Sequence, residues 1–154
     1  MTYSVPRAVV DAFYSAYLSR DPQRIGATLA EDVEWIVGGP VEVMQVCGCW
    51  HGKAAVIDRF ARVVPPVVDF KGLQVDSLLV DGAQSALFGK ITCVHRESGR
   101  LICHRVAHIV HYSDDKVVYF RCINDSLDAV EQFVGHHINL TDEDAATCGD
   151  VVAV

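Results

Sequence analysis

Over the first 65 residues apolar side chains recur every three or four positions, whereas from residue 67 onward they gather in runs separated by turn-forming residues. Val10, Phe13, Tyr14, Tyr17 and Leu18 fall on one helix face. Pro6 fits only the first turn of that helix. Asp21 followed by Pro22 closes it and opens a second helix, with Asp21 as N-cap and Pro22 first in the helix. Ile25 and Leu29 give the second helix a short apolar face. At Val33 the period drops to two. Val33, Trp35 and Val37 alternate with Glu34 and Ile36 in a strand that Gly38-Gly39-Pro40 stops. A third helix is predicted from about Lys53 to Val64, with Val56, Ile57, Phe60 and Val64 on one side and Pro65-Pro66 behind it.

Turn signals at Asp81-Gly82, Glu97-Ser98-Gly99 and Ser113-Asp114-Asp115 divide the rest into strands at about 67–80, 84–95, 100–112 and 117–124. Such short turns predict consecutive antiparallel hairpins. A last helix starts at Asp125 or Ser126, carries Leu127, Val130 and Phe133, and ends near Gly135. Residues 1–135 therefore read as one domain, and 136–154 as a loose tail or an arm on a partner subunit. Three helices and a meander bury both apolar surfaces only if the sheet curls, and Gly72 and Gly89 stand where bends help. The fold class expected is α+β: a cone-shaped, curved antiparallel sheet around three N-terminal helices, with a pocket between them. Alternating polarity on the convex side points to a second copy as its cover, hence a homodimer through the sheet.

Composition narrows the function. Hydrophobic residues make up 51% and charged ones 21%, enough for a packed core. A net charge of −7 argues against non-specific binding to nucleic acid or to an anionic membrane. No apolar run reaches the roughly 18 residues of a membrane span. The start, MTYSVPRAVVDAF, has no basic segment followed by an unbroken apolar one, so a cytoplasmic location is expected. The six cysteines, at 47, 49, 93, 103, 122 and 148, are then expected to be reduced. Cys47, Cys49 and His51 lack a second ligand pair at zinc spacing, so no metal is expected. No phosphate-binding glycine loop or dinucleotide fingerprint occurs, and no cofactor is expected.

The segments LAEDVEWIVGGP (29–40), HGKAAVIDRF (51–60), LLVDG (78–82) and RVAHIVHYSDDKVVYFRCIND (105–125) resemble the SnoaL-like and ketosteroid isomerase-like branch of the nuclear transport factor 2-like superfamily. The resemblance covers roughly residues 8 to 134 and implies a curved α+β cone that dimerises through its sheet. Members include isomerases, cyclases, epoxide hydrolases, dehydratases and binding modules, so fold alone does not decide activity. The general-base aspartate of the isomerases matches Val37, which takes no proton. Their oxyanion-hole tyrosine matches Phe13, beside Tyr14 and Tyr17, and their second oxyanion donor matches His108. Steroid isomerisation by the usual route is therefore not expected. The Asp-Arg-Asp set of the epoxide hydrolases has no match on the late strands, which offer His104, His108, Cys122 and Asn124.

Strand alternation groups His104, Val106, His108, Val110 and Tyr112 on one face, and Phe120, Cys122 and Asn124 on the matching face of the next strand. The resemblance turns that face into the cone. His108 is the candidate acid/base or oxyanion donor, and Asn124 its orienting partner. Either residue also serves as an ordinary core bond or helix cap. Tyr14, Tyr17, Trp35 and Trp50, with His104, Phe120 and Cys122, are the candidate substrate walls, with plain core packing as the alternative. His51, Arg59 and Arg62 are expected at the entrance or on the solvated helix face. Two functions follow: proton transfer on a small apolar carbonyl compound without a cofactor (isomerase, cyclase or dehydratase), or a non-catalytic module for ligand binding or dimerisation.

Overall fold

A computed structural model describes residues 2–139. The predicted tail therefore lies largely outside the described residues. Helix α1 (Arg7–Ser19) buries Val10, Phe13, Tyr14 and Tyr17. Leu18, expected on the same face, is exposed, because the stripe turns toward Ala16 instead. Helix α2 (Pro22–Ala27) begins as predicted: Asp21 Oδ1 accepts from the backbone N–H of Gln23 at 2.9 Å and of Arg24 at 3.1 Å. Strand β1 (Leu29–Val37) starts four residues before the alternation does. Leu29 belongs to this strand and not to the helix before it, and a register irregularity between Leu29 and Glu34 hides the period.

Strand β2 (Gly48–His51) is a short edge strand that sequence pattern did not announce. Helix α3 (Lys53–Asp58) runs directly into a π-helical turn, Arg59–Val63. Strands β3 (Val68–Asp81), β4 (Gln84–His95), β5 (Leu101–Ser113) and β6 (Lys116–Asn124) form the expected meander, and helix α4 (Ser126–Val134) closes the domain.

All six strands join one curved sheet in the order β2-β1-β6-β5-β4-β3. The expectation of a wholly antiparallel sheet is corrected at one seam: β1 pairs with β6 in parallel, because α3 and the meander together form the long crossover that parallel pairing requires. The expected bends are present as register shifts in β3, between Phe70 and Gly72 and between Val75 and Ser77. Gly89 faces the second shift across the ladder, where a Cβ would overlap the Gln74 carbonyl oxygen. The concave face packs on α1 around Trp35, Phe13 and Phe120. A second core, built on Met44, Ile102 and Phe133, lies under α4.

Candidate active site

Between these two cores lies a cavity that opens to solvent, about 620 Å³ when the solvent space at its mouth is included. Its walls combine Trp35 and Tyr17 from the first core with Met44, Val64 and Phe133 from the second. Trp35 and Phe120 stack at 3.8 Å between ring centroids, forming a flat aromatic side. Among the described residues no aspartate or glutamate lines the cavity. Val37, which the sequence resemblance matches to the isomerase base, contributes an apolar patch.

The inward alternation of β5 and β6 is as the sequence indicates. His104, Val106, His108, Val110 and Tyr112 are buried, as are Phe120 and Cys122. Of the candidate residues, Tyr17, Trp35, His104, Phe120, Cys122 and Asn124 line the cavity, whereas His108, Tyr14 and Trp50 do not. His108 has no exposed surface and is enclosed by the rings of Tyr14, Tyr17 and Phe120. Burial first, and the Arg20 charge second, push its imidazole down to about 3, so it is neutral at ordinary pH. The Tyr14 hydroxyl, whose ionisation burial suppresses, stands 3.5 Å from His108 Nδ1, at the outer limit of a hydrogen bond. Strand parity foresaw the inward direction of His108 but not the aromatic plug around it.

His104 is the imidazole that does reach the cavity. Its ring is 6% exposed, and Nε2 lies 3.0 Å from Asn124 Oδ1. Asn124 Nδ2 donates to the Gly38 carbonyl at 2.6 Å. A carbonyl oxygen only accepts, so this bond fixes the amide orientation, turns Oδ1 toward His104, and requires the proton on Nε2. Nδ1 is buried and without a partner among the described residues. The Cys122 thiol also points at Oδ1, 3.6 Å away, and burial pushes it up to about 12. It is therefore a thiol and not a nucleophile at neutral pH.

Two arginines complete the walls. Arg59, expected at the entrance or on a solvated face, is instead 6% exposed. Its Nη2 donates to the Val46 carbonyl at 2.9 Å, and its guanidinium covers Trp50 at 4.7 Å and Phe60 at 4.8 Å. Trp50 thus acts on the cavity through Arg59. The signal was present in the sequence: position 59 lies three residues after Val56 on the buried face of α3. Arg20 occupies the left-handed C-cap of α1 (φ 57°) and stacks on Phe70 at 3.5 Å and Tyr17 at 4.4 Å. It too extends a predicted stripe, three residues past Tyr17. Arg62, by contrast, is exposed and pairs with Asp58.

The model of the SnoaL-like domain matches residues 10–120. The chain belongs to this family. No protein of curated function matches the sequence. Among solved structures, the SnoaL-like chain is similar to a candidate isomerase from Rhodopseudomonas palustris at 20% identity and a TM-score of 0.75, covering 83% of this chain and 97% of that one. A nuclear transport factor 2-like protein from Burkholderia thailandensis gives 23% identity and a TM-score of 0.72, covering 84% and 97%. An epoxide hydrolase of Mycobacterium tuberculosis gives 16% and 0.66, covering 83% and 88%. At these identities the likeness establishes the fold, and chemistry rests on the SnoaL-like cavity itself. Among the described residues no helix is long and apolar enough to cross a membrane, and no group of three or more His, Cys, Asp or Glu converges to hold a metal ion.

Proposed function

We propose that this SnoaL-like domain binds a small, largely apolar carbonyl compound in the cavity and moves a proton on it, as an isomerase, cyclase or dehydratase without a cofactor. The observation that carries the reading is the Gly38–Asn124–His104 relay. It leaves Nδ1 of the cavity-lining His104 buried and without a partner among the described residues. An imidazole whose Nε2–H is held by an acceptor offers Nδ1, when that nitrogen is unprotonated, as a general base. The proton role expected of His108 passes to His104, four positions along the same strand face, because His108 is walled off. Asn124 keeps its orienting role, and Trp35, Tyr17 and Phe120 form the ring-binding surface.

The test is α-hydrogen exchange of 2-tetralone in D2O, followed by NMR. The wild-type chain accelerates exchange, and His104→Gln abolishes the acceleration while the ketone still binds. Bound ketone without exchange in the wild type supports the second reading, a non-catalytic binding module, which Val37 in place of a base favours.

The convex face of the sheet carries Leu79, Ala86, Phe88, Ala107, Ile109 and Ile123 on adjoining ladder positions. Leu79 is 60% and Phe88 51% exposed. A second copy of the chain is the proposed cover, and sedimentation of the wild type against Phe88→Lys reads it directly.

A further inference from the structure

The proton-transfer reading leaves the two arginines unused. Among the described residues, Arg59 Nε and Arg20 Nε are both buried without an acceptor, and so is the indole N–H of Trp35. All three side chains line the cavity. The ion pairs among the described residues draw on Arg7, Lys53, Arg62, Lys71, Arg96, Arg105 and His137, never on Arg20 or Arg59. Stacking on Trp50, Phe60 and Phe70 offsets part of the lost hydration of the two guanidinium groups, yet a ring face supplies no lone pair for an N–H in the guanidinium plane. The two cations also act on each other. Burial, together with the charge of Arg20, lowers Arg59 to about 10, which leaves it protonated at neutral pH.

We propose that the ligand of this cavity is a ring-containing organic acid bound as its anion, with a carboxylate or ionised enol oxygen accepting from Arg59 and Arg20 while the rings lie along Trp35 and Phe120. The inference rests on the reading of the cavity as a ligand site and narrows the carbonyl compound to an acidic one. One anionic oxygen pair supplies the acceptors that the two Nε–H groups lack, and it separates two like charges with an opposite one. The approach is consistent. Arg20 borders both the cavity and an outer groove, where Lys71 and Arg96 stand against Asp69 alone. A chain of net charge −7 thus presents a locally cationic mouth, which draws anions inward. Arg20 is held there by a left-handed backbone conformation uncommon for a residue with a Cβ.

Calorimetric titration of the full chain with 2-naphthoate and with its neutral amide, 2-naphthamide, tests this. The acid is expected to bind at least tenfold more tightly than the amide. Arg59→Met and Arg20→Met each remove most of that preference while amide affinity stays within threefold, and Arg59→Lys keeps part of it. Equal affinity for acid and amide in the wild type overturns the anion proposal and leaves the ligand-site reading standing. Binding of neither compound overturns both. A preference that survives in both methionine variants overturns the assignment to these arginines.

Discussion

Acid should unfold this protein largely through His108. The folded imidazole titrates near 3, against an ordinary value of about 6.5 in an unfolded chain. Between these two values the unfolded chain takes up a proton that the folded chain refuses, so stability falls as pH falls through this window. Above 6.5 neither state is protonated at this site and the penalty vanishes. Each pH unit well inside the window is worth about 1.4 kcal/mol, and acidification from pH 7.5 to 4.5 removes about 2.7 kcal/mol in all. That is a large share of the roughly 5–15 kcal/mol that hold a domain together. Urea unfolding at pH 7.5 and pH 4.5, on either side of the isoelectric point near 5.4, compares the wild type with His108→Gln. The glutamine can still accept from the Tyr14 hydroxyl but does not titrate. The remaining histidines and the carboxylates are common to both chains and cancel in the difference. The wild type should lose about 2–3 kcal/mol more than the variant. Parallel losses would refute both the dry site at position 108 and the neutral imidazole inferred from it.

Three further outcomes are expected. Arg59→Met should raise the urea midpoint, because removing a buried cation with no counter-ion among the described residues outweighs the lost bond to the Val46 carbonyl, and the apolar stem is kept. A fall of more than about 1 kcal/mol would show that the stacking on Trp50 and Phe60 is worth more than the buried charge costs. Gly89→Ala should lower stability by about 2–4 kcal/mol in thermal or urea melts, since its Cβ would overlap backbone and not a flexible side chain. Asn124→Leu should slow 2-tetralone exchange tenfold or more while 2-naphthoate affinity stays within threefold, because the imidazole loses its fixed tautomer but the arginines are untouched. Loss of both together would mean that Asn124 shapes the whole cavity.

The meander was legible because each strand of β3 to β6 is long, alternates in polarity and ends at a turn with glycine or aspartate. Gly72 and Gly89 even marked the bends. Strand β2 was not legible, since four residues between two glycine-containing loops give no period, and its hydrogen bonds come from β1, far back in the chain. The parallel seam was hidden for the same reason: pairing between β1 and β6 is a long-range fact that no local window contains. At the site, parity correctly turned His104, His108, Phe120 and Cys122 inward. It could not say which of the two imidazoles meets empty space, because that depends on where the α1 rings pack. The arginines were missed for a different reason. A charged residue at the edge of an apolar stripe reads as solvated, and only ring partners distant in sequence, Trp50 beside Arg59 and Phe70 beside Arg20, keep these two inside.

Because the cavity arginines lean on aromatic faces and no carboxylate of the described residues stands among the cavity walls, the proposed ligand would meet no internal competitor among those residues. The proposed ligand would find no counter-ion among the described residues to displace, and Arg59 was stripped of its hydration when the chain folded rather than at each encounter. Exchange of one guest for the next should therefore proceed without rearrangement of the host. Residence time would then follow from the guest's own contacts alone.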